Sequence, residues 1–496
     1  MFGEEKLNNH YFLRYALTKE FFDEFNGLNY SGIELPTCLV RHFHLRIKEF
    51  VDENISNEPF LTFLKLKHPM QSVRDAQQAL SQNKPVRKKL YNANHYKTYL
   101  MPGRFVQLAL DHFSTDKVVF TLTSAADTEA VKGKKLPGNF STFQLGDHLP
   151  SVHLPAAKRK QLSQFINKKE SLLSESHFLF KDPSFFTWLR GYIFRMAKMV
   201  HVYESLILKE KVGVIIDHVD ITVPGCITSL IGLKYDIPYV SVPQVLMTDR
   251  SIIPSRAAKY LVWGKMYKAW LIKRGIHTSK IEIVGNMNFE YARQKLNTSI
   301  DVGEFKRKHN IPQNHYIATW TTQPFEKAVN EQVLDWLKKT EMLPLTFIIR
   351  PHPSDNSDYK QLAGKKGNFL ILSREDMELY DNLYVTDFLL TISSNTAIEA
   401  AIMKKPLIVL KPRIPYHYEL NNNSFNYFLE NASAGIVVKE SAELKREIER
   451  LIQDKAYYTK TYNQGQSFLK SMISPEKSPS MVISRILREL NEKKST

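Results

Sequence analysis

The sequence predicts an α/β fold in which two parallel-sheet domains face one cleft, preceded by a mainly helical extension. From residue 117 onward, short apolar runs alternate with polar or amphipathic stretches, which is typical of successive strand and helix units. This alternation is interrupted by a polar, charged stretch at 293–312 and then restarts, which indicates a second domain. The first 115 residues differ, because apolar residues recur three and four positions apart, as in YFLRYALTKEFFDEF.

Individual strands are predicted where the apolar runs are shortest and most β-branched. In the first domain they are KVVFTLT, VGVIID, IPYVSVP and YLVWG, and in the second YIATWTTQ, LTFIIR, FLILS, FLLTIS and PLIVLK. Helices are expected at FEKAVNEQVLDWLKKT, NTAIEAAIMKK, SAELKREIERLIQ and SMVISRILREL. The predicted organisation is a helical extension at 1–115, packed on an N-terminal domain at 116–290, and a C-terminal domain at 291–496.

Charge and cysteine content restrict the class of protein. The 496 residues include 68 Lys and Arg against 51 Asp and Glu, a net charge of +17, which favours an anionic partner such as nucleic acid, an acidic membrane or a phosphorylated ligand. Two distant cysteines, Cys38 and Cys226, predict no disulfide framework and no paired metal ligands, so a reducing cytoplasm is the simplest compartment. Neither a secretory signal nor a long uncharged apolar run is recognisable.

Several common motifs are absent from the sequence. It contains no GxxxxGK[ST], GxGxxG, HExxH or CxxC, which argues against ATPase, dinucleotide oxidoreductase and zinc-hydrolase functions. It also contains no DxD triplet, which agrees with chemistry that needs no metal ion. Nucleic-acid binding would usually bring a recognisable recognition element, and none is present, so a nucleic-acid partner is not expected.

The first candidate site is the stretch RPHPSD, immediately after the predicted strand LTFIIR. His352 is held between Pro351 and Pro353, which restrict the backbone, and Arg350 adds a fixed positive charge suited to phosphate. Ligands of open parallel sheets bind beyond the carboxyl ends of the strands, so this is a binding position. An ordinary strand-to-helix turn with a solvated histidine is the alternative.

The second candidate site is ISSNTAIEA, where a predicted strand ends and a helix begins. Free backbone N–H groups at the helix start, together with the hydroxyl groups, predict a cradle for an anion. Glu399 is placed to reach ribose hydroxyls, although TAIE also fits a capping box with Thr396 as the cap. The proposed phosphate-binding set here is Ser393, Ser394, Asn395, Thr396 and Glu399.

The third candidate site, VGVIIDHVDITVPG, lies in the first domain. Asp217, His218 and Asp220 crowd the end of one strand, and carboxylates and imidazoles are the groups that remove a proton from a hydroxyl. We therefore predict a general base among these three residues. Helix capping by an aspartate beside a solvated histidine is the alternative. Two weaker signals, Thr322 in WTTQP and Gly285 in IVGNMNF, mark further strand ends and are predicted to contribute to the donor-nucleotide site.

An HP motif followed by an SS motif resembles the two-domain, Rossmann-like GT-B transferases that use nucleotide sugars. The resemblance covers roughly residues 210–440. Among these transferases, the sequence is similar to capsule and sialic-acid transferases, CDP-glycerol glycerophosphotransferases and spore-coat polysaccharide biosynthesis proteins. It implies that His352, Ser393 and Ser394 hold the phosphates of a nucleotide-activated donor, with Glu399 near the ribose. By the same resemblance the N-terminal domain binds the acceptor and the C-terminal domain binds the donor.

The tract DHVDITVPGCITSLIGLKYDIPYVSVPQ is also similar to the non-hydrolysing UDP-N-acetylglucosamine 2-epimerases, so an epimerase or hydrolase remains an alternative. The long leading segment and the loop FTLTSAADTE depart from the epimerase pattern, and the acidic DDG-type base motif of sialyltransferases is missing. The expected partners are a nucleotide-activated donor and a polysaccharide or lipid-linked acceptor, possibly with an anionic membrane surface. Basic clusters at 86–89, 132–135 and 158–160 and the apolar side of the last helix are candidates for contact with that surface. The spacing in the last helix also fits simple packing on the core.

Overall fold

A computed structural model describes residues 5–294, 300–340, 342–363, 368–416, 427–474 and 478–492. The predicted α/β architecture with two parallel sheets is confirmed. The chain forms two compact units. The first comprises Glu5–Val262, Leu271–Val284 and the C-terminal helix, and the second comprises Trp263–Trp270 together with the segment that starts at Gly285.

The chain begins with the predicted helical region. Its first helix is buried on nearly every side, which explains why apolar residues surround it rather than forming one stripe. Asn8 caps this helix by accepting the N–H of Tyr11, and Phe21 stacks on Phe43 with ring centroids 4.4 Å apart. The elements of this region are α1 (Asn9–Glu24), β1 (Asn29–Tyr30), β2 (Ile33–Glu34), α2 (Val40–Arg46), α3 (Lys48–Asn54), α4 (Glu58–Lys67) and α5 (Val73–Leu80).

A seven-stranded parallel sheet forms the centre of the first unit. Its elements are β3 (Thr98–Pro102), α6 (Val106–His112), β4 (Val118–Thr121), α7 (Ala125–Val131), β5 (Phe140–Phe143), α8 (Leu145–His148), α9 (Ala156–Leu173), α10 (Pro183–Lys209), β6 (Val212–Asp217), α11 (Gly225–Tyr235), β7 (Tyr239–Ser241), α12 (Asp249–Ile252), β8 (Lys259–Val262), α13 (Lys265–Lys273) and β9 (Ile281–Ile283). The strand order is β5-β4-β3-β6-β7-β8-β9. The chain therefore runs outward from β3 in one direction and from β6 in the other, and the strand order reverses between these two neighbours.

Three strands of this sheet, β3, β5 and β9, are not among the four predicted for the first domain, although Gly285 is predicted to mark a strand end, which is that of β9. β3 lies inside the stretch 1–115 that is predicted to be mainly helical, and its sequence TYLMP is short and ends in proline, so no apolar run of strand length marks it. β5 was missed because Ser141 and Thr142 at its centre are exposed and polar. The helical extension therefore ends before Thr98, and the sheet starts there.

A six-stranded parallel sheet forms the centre of the second unit. Its elements are α14 (Met287–Gln294), α15 (Val302–Lys308), β10 (Tyr316–Thr321), α16 (Lys327–Lys338), β11 (Leu345–Arg350), α17 (Tyr359–Ala363), β12 (Phe369–Ile371), α18 (Leu379–Val385), β13 (Phe388–Thr391), α19 (Thr396–Ile402), β14 (Leu407–Leu410), α20 (Phe428–Asn431), β15 (Ile436–Val438), α21 (Ser441–Gln453) and α22 (Lys455–Met472). The order β12-β11-β10-β13-β14-β15 reverses between β10 and β13. All five predicted strands of this domain are confirmed. Trp320, Phe347 and Leu390 are buried in its core.

The last helix, α23 (Pro479–Glu492), belongs to the first unit. Ile483 and Leu487 are fully buried, and the Asn491 side chain donates to the carbonyl of Lys97 at 2.8 Å. This differs from the expected C-terminal domain of 291–496, because the apolar side of α23 is used to cover the start of β3 and β6. The apolar side of the last helix therefore packs on the core, which was the alternative to contact with a membrane.

No helix in the described ranges combines the length and the apolar character needed to cross a bilayer. Both cysteines are buried and free.

Candidate active site

The second sheet offers a binding position where its strand order reverses. β10 and β13 are neighbours that pair in parallel, with Thr321 beside Thr391, so the residues that follow them emerge at the same edge. In open parallel sheets the crevice at such a reversal is the usual ligand site. Gln323 follows β10 and Ser393 follows β13, and the Ser393 hydroxyl lies 3.4 Å from Oε1 of Gln323. The structure thus brings the predicted Thr322 segment and the SS motif together.

The loop that carries His352 is fastened to the end of β10. Oγ1 of Thr322 accepts the backbone N–H of His352 at 2.9 Å and donates to Oδ2 of Asp355 at 2.5 Å. The same carboxylate oxygen accepts the Tyr359 hydroxyl at 2.6 Å and the Asn330 amide at 3.2 Å. Asp355 is therefore the centre of a polar network that fixes the RPHPSD loop. Sequence reading missed this role, although the aspartate three residues after the histidine was visible.

His352 presents a hydrogen-bond donor from this fixed loop. Its Nδ1 accepts the backbone N–H of Ser354 at 3.0 Å, so the proton of the neutral ring is on Nε2. Burial lowers the pKa of His352, and the negative charge of Asp355 opposes this only in part. The imidazole is consequently neutral at neutral pH and offers one Nε2–H donor.

The two serines of the SS motif make different contacts. The Ser394 hydroxyl accepts the N–H of Thr396 at 3.2 Å and lies 2.8 Å from Oγ1 of Thr396, so it acts as a local cap at the start of α19. Asn395 occupies the N-cap position without a side-chain bond. The expected cradle is therefore smaller than the sequence suggested, because the first helical N–H groups already have acceptors. Within the described part of the chain, the N–H groups of Ser394 and Asn395 donate no hydrogen bond.

Glu399 does not form the capping box that TAIE allowed. Its carboxyl makes no hydrogen bond to the described residues and lies partly buried in the field of Arg350. Burial raises the pKa of Glu399 to about 7, and the positive charge of Arg350 counteracts this effect. Near neutral pH this carboxyl is therefore close to half protonated.

The raised pKa predicts a pH-dependent stability that Glu399→Gln removes. Between pH 4.5 and about 7 the folded carboxyl keeps its proton while the unfolded one has lost it, so stability falls as the pH rises through this window. We expect the variant to match the wild type at pH 4 and to exceed it by about 1–3 kcal/mol at pH 8. Urea unfolding at both pH values measures this, with exposed Glu331→Gln as the control. An unchanged pH dependence in Glu399→Gln would contradict the assignment.

The remaining two donor-site predictions have different surroundings. Nη1 of Arg350 donates to the carbonyl of Met377 at 2.8 Å, so this nitrogen is committed to the loop after β12. Gly285 has a φ of 86°, which explains the glycine, and it stands where the second unit begins. Contact of either residue with a nucleotide remains a prediction.

The first sheet has its own polar cluster where its strand order reverses. Asp217 ends β6, and its Oδ1 accepts the backbone N–H of His218 at 2.7 Å and lies 2.9 Å from Nδ1 of the same ring. Arg104 follows the neighbouring strand β3, and its Nη1 lies 3.1 Å from Nε2 of His218. Sequence reading found Asp217 and His218 but missed Arg104, because β3 itself was missed.

Asp220 makes its hydrogen bonds with residues outside this cluster. Its Oδ2 accepts the Ser255 hydroxyl and the Arg256 N–H, both at 2.8 Å, and burial raises its pKa to about 6. The guanidinium of Arg256 is buried and has no hydrogen-bond partner in the described chain. Asp220 therefore holds a buried loop, and its predicted role as a base is less well supported than that of His218.

We expect Asp220→Ala to lower the free energy of unfolding by about 2–5 kcal/mol. The substitution leaves two buried donors without an acceptor and removes the nearest negative charge from Arg256. Chemical denaturation measures the loss, with the exposed Asp147→Ala as the control. A variant as stable as the control that has lost its turnover would instead place Asp220 in the catalytic step.

Comparison with a protein-family model supports the predicted transferase resemblance for residues of the second unit. Residues 291–475 match the family model described as CDP-Glycerol:Poly(glycerophosphate) glycerophosphotransferase. The predicted resemblance to a GT-B transferase of the glycerophosphotransferase type is confirmed over these residues, which include the HP and SS motifs. The match covers less than half of the chain. No curated protein matches the sequence.

Solved structures support the fold. A putative UDP-N-acetylglucosamine 2-epimerase from Listeria monocytogenes aligns with 80% of this chain and 97% of its own, at 12% identity and a TM-score of 0.50. A glycosyltransferase from Rickettsia africae ESF-5 aligns with 81% of this chain and 99% of its own, at 12% identity and a TM-score of 0.48. At such identities the likeness concerns the two-sheet fold and says nothing of the reaction.

Proposed function

We propose that the protein, whose residues 291–475 match the glycerophosphotransferase family, is a GT-B transferase that moves a group from a nucleotide-activated donor to an acceptor hydroxyl. The donor is a nucleotide sugar or CDP-glycerol. The observation that carries the proposal is the meeting of Thr322, His352 and Ser393 around the reversal of the second sheet, inside the matched segment. This is the position where open parallel sheets bind nucleotides.

The donor-site groups suit a leaving nucleoside phosphate. When the bond to the transferred group breaks, negative charge develops on the phosphate, and donors that are already fixed stabilise it without reorganising. His352 offers its Nε2–H from a fastened loop, Ser393 its hydroxyl, and Ser394 and Asn395 their N–H groups. Such donors can act without a divalent ion, which is the basis for proposing metal-independent chemistry. Glu399 and Arg350 are assigned to the rest of the nucleotide.

The base is assigned to His218. Its Nδ1 faces the carboxylate of Asp217, an arrangement that holds the ring and stabilises the imidazolium formed when Nε2 accepts a proton. Asp217 is buried, whereas the His218 side chain is 25% exposed and reachable by an acceptor. Asp217 therefore orients the base, and His218 removes the proton from the acceptor hydroxyl.

The acceptor is proposed to be a cell-surface polysaccharide or a lipid-linked precursor, as in capsule, spore-coat or teichoic-acid-like polymers. The basic clusters at 86–89, 132–135 and 158–160 have exposed lysine and arginine side chains, and the net charge is +17. Such clusters attract a protein to an anionic surface. We therefore propose a cytoplasmic enzyme that works at the inner face of a membrane.

A nucleotide panel tests the proposal. CMP, CDP, UDP and GDP are added to the full chain and to His352→Ala, because a ligand that binds the folded state raises the melting temperature. We expect one nucleotide to stabilise the wild type by several degrees and the variant by much less. The stabilising nucleotide then selects the donor for product analysis with and without a polymer acceptor. Stabilisation by none of the four would contradict the proposal, and release of a sugar epimer or rapid free sugar without acceptor would favour the epimerase or hydrolase alternative.

A further inference from the structure

The proposed base is covered by a guanidinium in the structure. Nη1 of Arg104 lies 3.1 Å from Nε2 of His218, while Nδ1 of the ring lies 2.9 Å from Oδ1 of Asp217. A guanidinium only donates, so Nε2 must be the acceptor and the ring proton must be on Nδ1. Arg104 thus selects the tautomer that a base needs, and at the same time it occupies the lone pair that would accept the proton.

Arg104 is held firmly in this position from its other side. Its Nε donates to Oδ1 of Asp127 at 2.7 Å, and its Nη2 donates to the Ser124 hydroxyl at 3.0 Å. Asp127 is fully buried, and although burial raises its pKa, the hydrogen bonds from Arg104 and Ser124 lower the pKa below its ordinary value overall. Gly103 is required beside it, because a Cβ there would lie 2.4 Å from the carbonyl oxygen of Asp127. Nη2 also donates to Oδ2 of Asp127 at 3.3 Å, so the arginine is placed by the fold and Nη1 is the nitrogen that faces His218.

The contact with His218 is the part of this network that a ligand can reach. The side chains of Arg104 and His218 are 26% and 25% exposed, whereas those of Asp127 and Asp217 are almost fully buried. An uncharged acceptor gains little by displacing a guanidinium from an imidazole nitrogen. An anionic group can replace His218 as the partner of Nη1, through a hydrogen bond that is stronger because it is charge-assisted.

We propose that Arg104 is a positioning residue that keeps His218 in the base tautomer, covers its Nε2 while the acceptor site is empty, and moves to an anionic group of the acceptor when that acceptor binds. The inference rests on the proposed function and names a property of its acceptor, a negative charge near the reacting hydroxyl. Once Nε2 is free, it takes the hydroxyl proton as the acceptor oxygen bonds to the transferred group. The bond from that group to the nucleotide phosphate breaks, and its electron pair leaves with the phosphate. Water arriving alone finds the base covered, so the donor is protected from hydrolysis.

The kinetic test compares Arg104→Gln and Arg104→Lys with Arg190→Gln, whose arginine forms a surface pair with Glu170. We expect Arg104→Gln to raise the acceptor KM about 10- to 100-fold with donor affinity unchanged, since a hydrogen bond from a charged group is lost. We also expect it to raise the ratio of donor hydrolysis to transfer, and Arg104→Lys to recover part of the acceptor affinity. An acceptor KM and a hydrolysis ratio equal to those of the control would overturn the proposal.

A spectroscopic test does not depend on turnover or on the donor. In protein with nitrogen-15 labelled histidine, the His218 Nε2 resonance is followed during titration with glycerol 3-phosphate or with glycerol. We expect the phosphate to shift this resonance and glycerol to leave it unchanged. The response should disappear in Arg104→Gln and be reduced in Arg104→Lys, which serves if Arg104→Gln does not fold. A phosphate response at His218 in a protein that binds no nucleotide would retain this inference and refute the proposed function. Nucleotide binding with no phosphate response would do the reverse.

Discussion

Replacing His218 by asparagine is expected to lower the transfer rate about 100- to 10,000-fold, the usual contribution of a general base. The physical reason is that no other ionisable side chain described at the carboxyl end of β6 or β3 combines an available lone pair with access to solvent. Asp217 is buried behind the ring, Arg104 only donates, and Asp220 accepts from Ser255 and Arg256. Donor affinity should not change, because the residues assigned to the donor belong to the other unit.

Three measurements make this result specific to the base. Transfer is assayed at saturating donor and acceptor, donor affinity by nucleotide-induced thermal stabilisation, and folding by the unfolding midpoint. His153→Asn provides the control, since this histidine is exposed in the same unit. Asp217→Asn is also expected to reduce the rate strongly, because the amide removes the charge that stabilises the imidazolium and its N–H facing Nδ1 moves the ring proton to Nε2. Full turnover by a folded His218→Asn protein would remove His218 from the mechanism.

The sequence predicted most of this architecture because parallel strands are buried on both faces and read as apolar runs. VGVIID, LTFIIR and FLLTIS were found in this way, and their ends led directly to Asp217, His352 and Ser393. β3 was missed because TYLMP is short, ends in proline and lies in a helical context. Arg104 was missed with it, because an arginine becomes a candidate site residue only when it is known to follow the end of a strand.

Other parts of the site depend on contacts that are distant in sequence. The role of Asp355 is shown only by the folded structure, which places Thr322 and Asn330 in hydrogen-bonding contact with it. These residues are 33 and 25 positions away in sequence. For Glu399 the local pattern TAIE also fits a capping box, but in the folded chain its carboxyl is buried beside Arg350 instead. Asp220 is the opposite case, since its position next to His218 in sequence suggested shared chemistry and its side chain turns to Ser255 instead. Sequence patterns therefore located the strand ends, whereas the direction of each side chain had to come from the tertiary structure.

The second large effect is expected from the donor site, where His352→Ala should lower transfer about 100- to 1,000-fold, as loss of one fixed donor to a developing oxyanion does. The neutral ring contributes one Nε2–H, and the Thr322 and Asp355 network that aims it survives the substitution, because that network binds the backbone N–H of residue 352. His352→Gln should retain part of the rate, since its amide supplies an N–H donor. The loss therefore reports on the donor group and not on the fold of the loop.

The serines separate binding from local stability and test whether the two motifs act on one phosphate. Ser393→Ala should weaken transfer and leave unfolding unchanged, whereas Ser394→Ala should also destabilise the start of α19 by about 1 kcal/mol, because its hydroxyl accepts the N–H of Thr396. Ser467→Ala, on α22, is the control.

If His352 and Ser393 hold the same phosphate, the double variant should lose less transition-state stabilisation than the sum of the single losses, whereas groups that act on separate anions give additive losses. Additive losses would mean that the two motifs serve different parts of the donor, and full donor turnover by His352→Ala and by the Ser393→Ala/Ser394→Ala protein would mean that the donor site lies elsewhere.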